Sequence, residues 1–119
     1  MLSGNGPIFL QVAERVAEDI IIGTYAEEDC IPSTNDYASF YQISPITASK
    51  GISILVEQGV LYKKRGIGMF VAPGARNRLR ADRRATFREQ HIIPLLREAH
   101  LLGIDPGELV EMINQKDLS

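Results

Sequence analysis

Positive charge in this chain is concentrated in one segment. Nine of its 13 lysines and arginines (Lys63, Lys64, Arg65, Arg76, Arg78, Arg80, Arg83, Arg84 and Arg88) fall between residues 60 and 88, where Asp82 is the only acid, a local balance of +8. Residues 1–59 carry −6 and residues 89–119 carry −4, so the net charge of −2 conceals a strongly basic stretch. Screening confines surface fields to about 10 Å, so such a stretch attracts a polyanion whatever the total charge. A solvated helix face beside a basic hairpin is the competing explanation of the same charges. A second group, Ser44, Ile46, Thr47, Ser49 and Lys50, combines hydroxyls, a lysine and one aliphatic side chain. Ser44 and Thr47 suit phosphate oxygens, Ile46 a thymine methyl, and Lys50 either a guanine edge or a phosphate. The alternatives are that Ser44 only caps a helix and that Ile46 belongs to the core. In a third group, Lys64 and Arg65 flank Gly66, which can turn with positive φ and approach a narrow minor groove closely.

Other chemistry finds no comparable grouping. No Ser/His/Asp set stands in a recognisable context. His91 and His100 are nine residues apart without a zinc-like pattern, and His91 with Glu89 fits a surface better than a metal site. Gly66-Ile67-Gly68 is not followed by a helix opening with Lys-Ser/Thr, as a phosphate-binding loop requires. Cys30 is the only cysteine, so no internal disulfide forms, and its acidic neighbours do not depress a thiol pKa. Enzyme activity, metals and cofactors are therefore not expected. The longest pure aliphatic run, Ile20-Ile21-Ile22, is far short of the ~20 residues of a membrane span. Residues 1–6 lack the basic-then-apolar order of a signal peptide. A cytoplasmic location follows.

These groups sit on short, well-punctuated elements. Pro7 suits the first turn of a helix that carries Ile8, Val12, Val16 and Ile20 at helical spacing and stops at Gly23. Thr24–Pro32 reads as a connection. Ser33 and Asp36 form a capping-box-like opening of a short second helix, with Tyr37, Ala38 and Phe40 as its apolar side. Tyr41-Gln42-Ile43 turns the chain. Ser44 caps a third helix with Pro45 at its first position, Ile52, Leu55 and Val56 toward the core, and Gly59 at its end. Val60–Lys64 and Ile67–Val71 around Arg65-Gly66 predict a hairpin. A long helix over about 75–102 follows, with a kink expected at Pro94. Asp105-Pro106-Gly107-Glu108 opens a last helix to about Gln115. The fold class is mainly α with a small β-hairpin: a winged helix-turn-helix over residues 1–73 and a helical dimerisation tail over 74–119.

The segments Pro7–Gln11, Ile22–Tyr25, Ile31–Ser33, Ile43–Lys50, Glu57–Leu61 and Arg65–Val71, in unbroken order, resemble the DNA-binding domain of the GntR family of regulators. The short two-helix tail is similar to that of the YtrA-like subfamily, whose members use it to dimerise and often control transporter genes. The resemblance implies a transcriptional regulator, in the repressor sense, with double-stranded operator DNA as partner. It implies contacts from Ser33, Asn35, Ser44, Ile46, Thr47, Ser49, Lys50, Lys64, Arg65 and Gly66. Where many relatives carry arginine this chain has Asn35 and Ser49, and Cys30 stands where a basic residue is common. Asparagine and serine hydrogen-bond phosphate or base without arginine's bidentate fork for guanine.

The tail holds more apolar side chains than two helices can enclose, which points to a homodimer formed through Phe87, Ile92, Ile93, Leu96, Leu101, Leu102, Leu109 and Ile113. The arginine-rich half of the long helix is expected to lie near solvent or DNA. A symmetric dimer calls for a near-palindromic site. A small-molecule effector of unknown identity belongs, if one binds, where tail and winged domain meet. The competing functional reading is a winged-helix module that binds protein without DNA specificity.

Overall fold

The computed structural model describes Leu2 and residues 4–115. The elements are α1 (Ile8–Ile22), α2 (Thr34–Tyr41), α3 (Pro45–Glu57), β1 (Leu61–Lys64), β2 (Gly68–Val71), α4 (Ala75–Phe87), a π-helical turn (Arg88–Ile92), α5 (Ile93–Leu101) and α6 (Pro106–Asn114). Two compact units result, Met1–Ala81 and Asp82–Ser119. Among the described residues no helix is long and apolar enough to cross a membrane.

Local chemistry sets the helix boundaries of the first unit. Ser33 caps α2 in a reciprocal capping box: its Oγ accepts from the Asp36 amide, and the Asp36 carboxylate accepts from the Ser33 amide, both at 3.0 Å. Ser44 caps α3 by accepting from the Thr47 amide at 3.1 Å, with Pro45 in the first turn. α2 runs on through Tyr41, and Gln42 ends it in the left-handed conformation. Its inner face is Tyr37, Ala38 and Tyr41, spaced i, i+1 and i+4. Tyr41 is buried, whereas Phe40, expected on the apolar side, stands 69% exposed.

One core joins every element of this unit. Val12, Val16 and Ile20 of α1 meet Tyr37, Ala38 and Tyr41 of α2 and Ala48, Ile52 and Leu55 of α3. Val60, Leu61 and Val71 bring in the hairpin. Ala75 and Leu79 of α4 complete the cluster. The compact unit therefore extends eight residues past the Pro73 boundary expected from sequence, because the first turns of α4 bury apolar side chains in it.

The tightest point is the crossing of α1 and α3. A Cβ on Gly51 would stand 2.6 Å from the Phe9 carbonyl oxygen and 2.9 Å from Val12 Cβ. Glycine costs roughly 1 kcal/mol in a helix interior relative to alanine. Here it permits a helix contact that no other residue fits.

β1 and β2 pair antiparallel, Leu61 opposite Val71 through Lys64 opposite Gly68. The segment read as a bare connection adds a third pairing. Cys30 bridges to Phe70, with Glu28 N donating to Val71 O (2.8 Å), Val71 N to Asp29 O (3.0 Å) and Ile31 N to Met69 O (2.9 Å).

In the second unit, Pro94 lies in the first turn of α5. Proline has no N–H to donate and its ring crowds the carbonyl four residues back. The helix absorbs this misfit as a π-helical turn immediately upstream, at Arg88–Ile92. Asp105 caps α6 by accepting from the Glu108 amide at 2.8 Å.

Gly51→Ala should lower the unfolding free energy by about 1–2 kcal/mol in a urea titration. Overlap with a backbone carbonyl stands at the upper end of overpacking costs (~2–3 kcal/mol) and outweighs the gain in helix propensity (~1 kcal/mol). An unchanged midpoint would show that α1 moves aside freely.

Candidate nucleic-acid interface

α3 presents its first turn outward. Ile46 is 81% exposed, so it is not a core residue. Ser49 and Lys50 are exposed as well, and Thr47 is half-buried. Ile46, Ser49 and Lys50 stand at i, i+3 and i+4, one face of the helix. Ser44 does act as a cap, and its hydroxyl lies 2.8 Å from that of Thr47. Within this turn Pro45 has no N–H, Thr47 N is capped by Ser44 Oγ, and Ala48 N bonds the Ser44 carbonyl at 3.1 Å. The Ile46 amide is the donor that intrahelical bonding leaves over. An anion approaching this end meets that N–H, two hydroxyls and the positive end of the helix dipole.

Lys50 is not loose on the surface. Its ammonium sits 4.1 Å from the centroid of the Phe9 ring. The close crossing at Gly51 accounts for this, since Gly51 touches the Phe9 backbone and Lys50 is the next residue. A cation–π contact of this kind is worth about 0.5–1 kcal/mol at an exposed site. It orients the ammonium without removing it from reach of a stronger anionic partner. Helical spacing puts Phe9 in a row with Ala13, Ala17 and Ile21, but it gives no sign of the Lys50 contact.

At the start of α2, Ser33 is committed to its capping box, while Asn35 in the first turn is exposed.

The wing tip is Lys64-Arg65-Gly66-Ile67, closed by Ile67 N donating to Lys64 O at 2.9 Å. Gly66 takes φ 76°, the left-handed region that other residues avoid. Tyr62 and Phe70 are opposed across the strands with ring centroids 5.9 Å apart. The Lys64 ammonium lies 4.5 Å from the Phe70 centroid and 5.9 Å from that of Tyr62. The Tyr62 hydroxyl donates to Glu28 at 2.7 Å, and this bond to a carboxylate raises the phenol pKa above the ordinary tyrosine value. The aromatic pair steadies Lys64 and the Glu28 segment braces the hairpin. The Tyr62–Phe70 pair depends on the hairpin register: residues 65–67 form the loop, so Tyr62 faces Phe70 and not Met69, as a turn at Arg65-Gly66 alone would have it. The brace joins residues 34 apart and has no local signal.

The basic segment does not act as one block. Arg76 Nε donates to the Ile21 carbonyl at 2.9 Å, and Arg78 donates to the carbonyls of Gly59 (3.2 Å) and Gln58. These oxygens lie at the C-terminal ends of α1 and α3, neither of which has a basic residue in its last turn. Two arginines expected near solvent or DNA are thus engaged with helix C-termini, where positive charge is favoured. Arg88 pairs with Glu89 at 3.4 Å. Arg80 and Arg84 are exposed.

Within the second unit, Phe87, Leu96, Leu102 and Ile113 are exposed, and Leu101 is 79% exposed. Ile92 and Ile93 are half-buried. Leu109 is already buried within the chain, so its side chain does not need a second copy to cover it. Among the described residues no three His, Cys, Asp or Glu side chains gather as metal ligands would.

Residues 9–71 match the family profile described as bacterial regulatory proteins, gntR family. The chain is similar to the HTH-type transcriptional repressor YtrA of Bacillus subtilis, 27% identical over 109 residues, 92% of this chain and 83% of YtrA. Other curated relatives are longer, and the chain spans only 26–29% of their length. A crystal structure of a GntR-family transcriptional regulator from Bacteroides thetaiotaomicron superposes with a TM-score of 0.73 at 37% identity, covering 89% of this chain and 92% of that one. The DNA-binding domain of AraR, solved in complex with its operator ORX1, superposes on 60% of this chain and 93% of its own at TM-score 0.57 and 32% identity.

The exposed face of α3 can be separated from its scaffold by stability measurements. Ser44→Ala, which removes a cap, should cost about 1 kcal/mol. Ile46→Ser, on an open surface, should stay within about 0.5 kcal/mol of the parent. Thermal melts of both variants check this, and a large loss for Ile46→Ser would return that side chain to the core.

Proposed function

Because this chain belongs to the GntR family of bacterial regulatory proteins, we propose that it is a DNA-binding transcriptional regulator, a repressor that holds a near-palindromic operator as a homodimer. The observation that carries this reading is the outward first turn of α3, with Ile46 81% exposed beside Ser49 and Lys50. An exposed isoleucine on a polar helix face costs solubility and gains nothing within the monomer. Against a major groove it can meet a thymine methyl. AraR's bound operator and YtrA's description as a repressor support the same assignment.

In this reading α3 enters the major groove, with Ser44, Thr47 and the Ile46 amide on phosphate, Ile46 and Ser49 at base edges, and Lys50 leaving Phe9 for a guanine or a phosphate. Ser33 and Asn35 approach the backbone from α2. The wing lays Lys64, Arg65 and Gly66 along the adjacent minor groove. The exposed Arg80 and Arg84 add to the local field. Such a regulator works in the cytoplasm, where bacterial operators lie.

The second unit supplies the dimer contact. Phe87, Leu96, Leu101, Leu102 and Ile113 leave an apolar surface that a second copy covers. Ile92 and Ile93, half-buried, add to that contact, and Leu109 is already buried within the chain. Two recognition helices would then stand about one DNA turn apart, roughly 34 Å.

Two measurements test the proposal. Sites selected by the full chain from a randomised DNA pool should be near-palindromic. Arg65→Ala should weaken binding to all of them alike, lowering the salt slope by about 0.9 for each phosphate that the guanidinium had neutralised. Weakening at a single base position would make Arg65 a base reader instead. In sedimentation, the parent should be a dimer, and Leu101→Asp with Ile113→Asp should be a monomer that melts with its fold intact and binds half-sites weakly. A variant that remains dimeric would place the interface elsewhere.

A further inference from the structure

The first unit contains a groove of about 630 Å³ that the DNA reading does not use. It lies between the C-terminal half of α1, the chain after it, and α2. Its walls are aromatic: Tyr25, Tyr37, Phe40 and Tyr41. Tyr37 and Tyr41 are nearly parallel, their rings 5° from coplanar in orientation, and Phe40 meets Tyr41 edge-on at 5.0 Å between centroids. The volume is in the range of sites for small organic ligands.

Two features point to a ligand. The first is an orphaned polar atom. The Tyr37 hydroxyl is buried, its residue only 5% exposed, and it makes no well-formed hydrogen bond, although the Tyr25 phenol lies beside it. Burial, and then the neighbouring Tyr25 phenol, hold it protonated far above the ordinary tyrosine range. A buried hydroxyl without a partner is costly, and native structures rarely retain one without a reason. The second is Phe40, which leaves a large aromatic face 69% exposed at the groove although Tyr41 beside it is buried.

The charges select the class of ligand. Asp19 and Asp36 line the groove with a single cation, Arg15, which pairs with Asp19 at 3.5 Å. The Asp36 carboxylate accepts from the Ser33 amide at 3.0 Å, which fixes its position in the wall. The lining therefore has a net negative charge beside four electron-rich rings. Aromatic faces attract cations through their quadrupoles, and carboxylates reinforce the same preference. We propose that this groove binds a small organic cation, an ammonium on an aryl or alkyl body. The body packs on Phe40 and Tyr41, the charge lies toward Asp19 and Asp36, and the Tyr37 hydroxyl, closed off in the free protein, opens to accept an ammonium N–H. The inference does not depend on DNA binding and can fail or succeed separately from it.

The probe is 2-phenylethylamine, protonated at pH 7, with neutral 2-phenylethanol as its counterpart. Each is titrated into the full chain while backbone amide resonances are followed. The ammonium should give saturable shifts centred on Tyr25, Tyr37 and Phe40, and should bind about tenfold more tightly than the alcohol. Phe40→Ala, at an exposed position, and Asp19→Asn should each weaken it severalfold with the rest of the spectrum unchanged. Tyr37→Phe supplies the sharpest readout. It removes the orphaned oxygen, so the free protein should melt at the same temperature or higher while ammonium binding weakens. Equal binding of amine and alcohol, shifts centred elsewhere, or no saturation at millimolar amine would each overturn the proposal.

Discussion

The α1–α3 crossing at Gly51 is the constraint on which the first unit depends. With the Phe9 carbonyl 2.6 Å from where a Cβ would be, the helices approach as closely as backbone permits. That distance fixes the rotation of α3 about its axis. Ala48, Ile52 and Leu55 face inward, and Ile46, Ser49 and Lys50 have no choice but to face out. The same contact sets the Phe9 ring under the Lys50 ammonium. A single missing methyl group thus determines both a core packing and the orientation of a candidate reading head.

Charge in the basic segment is divided between two kinds of work. Arg76 and Arg78 reach the C-terminal carbonyls of α1 and α3, tying α4 to the helices that precede it. Helices that end without basic residues of their own receive their compensating charge from a distant part of the chain. Lys64 is held by Phe70, so the wing carries a cation of defined direction. The count of positive charges in a linear segment overstates what is available to a polyanion, because some of those charges are structural.

The parts legible in the sequence were those governed by neighbours in the chain. Caps at Ser33, Ser44 and Asp105, the hairpin around Gly66 and the helical spacing of Val12, Val16 and Ile20 all follow from local rules, and all are present. What escaped depends on contacts between distant residues. The Cys30–Phe70 bridge, the glycine seat of Phe9, the arginine caps and the burial of Leu79 leave no periodic trace. Tyr41 rather than Phe40 is the buried ring, because the face a short helix turns inward is chosen by the core it packs against. Of the candidate site, the residue types on α3 and the wing could be read directly. The aromatic partners that hold Lys50 and Lys64 could not, since a ring beneath an ammonium is a property of the fold.

The π-helical turn at Arg88–Ile92 carries a consequence for how this chain can vary. A wide turn accommodates one residue more than an α-helix of the same rise, and each residue advances the helix by about 100°. Deleting one residue there would leave α5 on nearly its present bearing, because four α-helical residues turn through about the same angle as the five of the wide turn. The same deletion within α4 or α5 would instead turn everything downstream by about 100°. The wide turn is thus a place where the chain can lose a residue and keep the direction of the apolar side chains that follow.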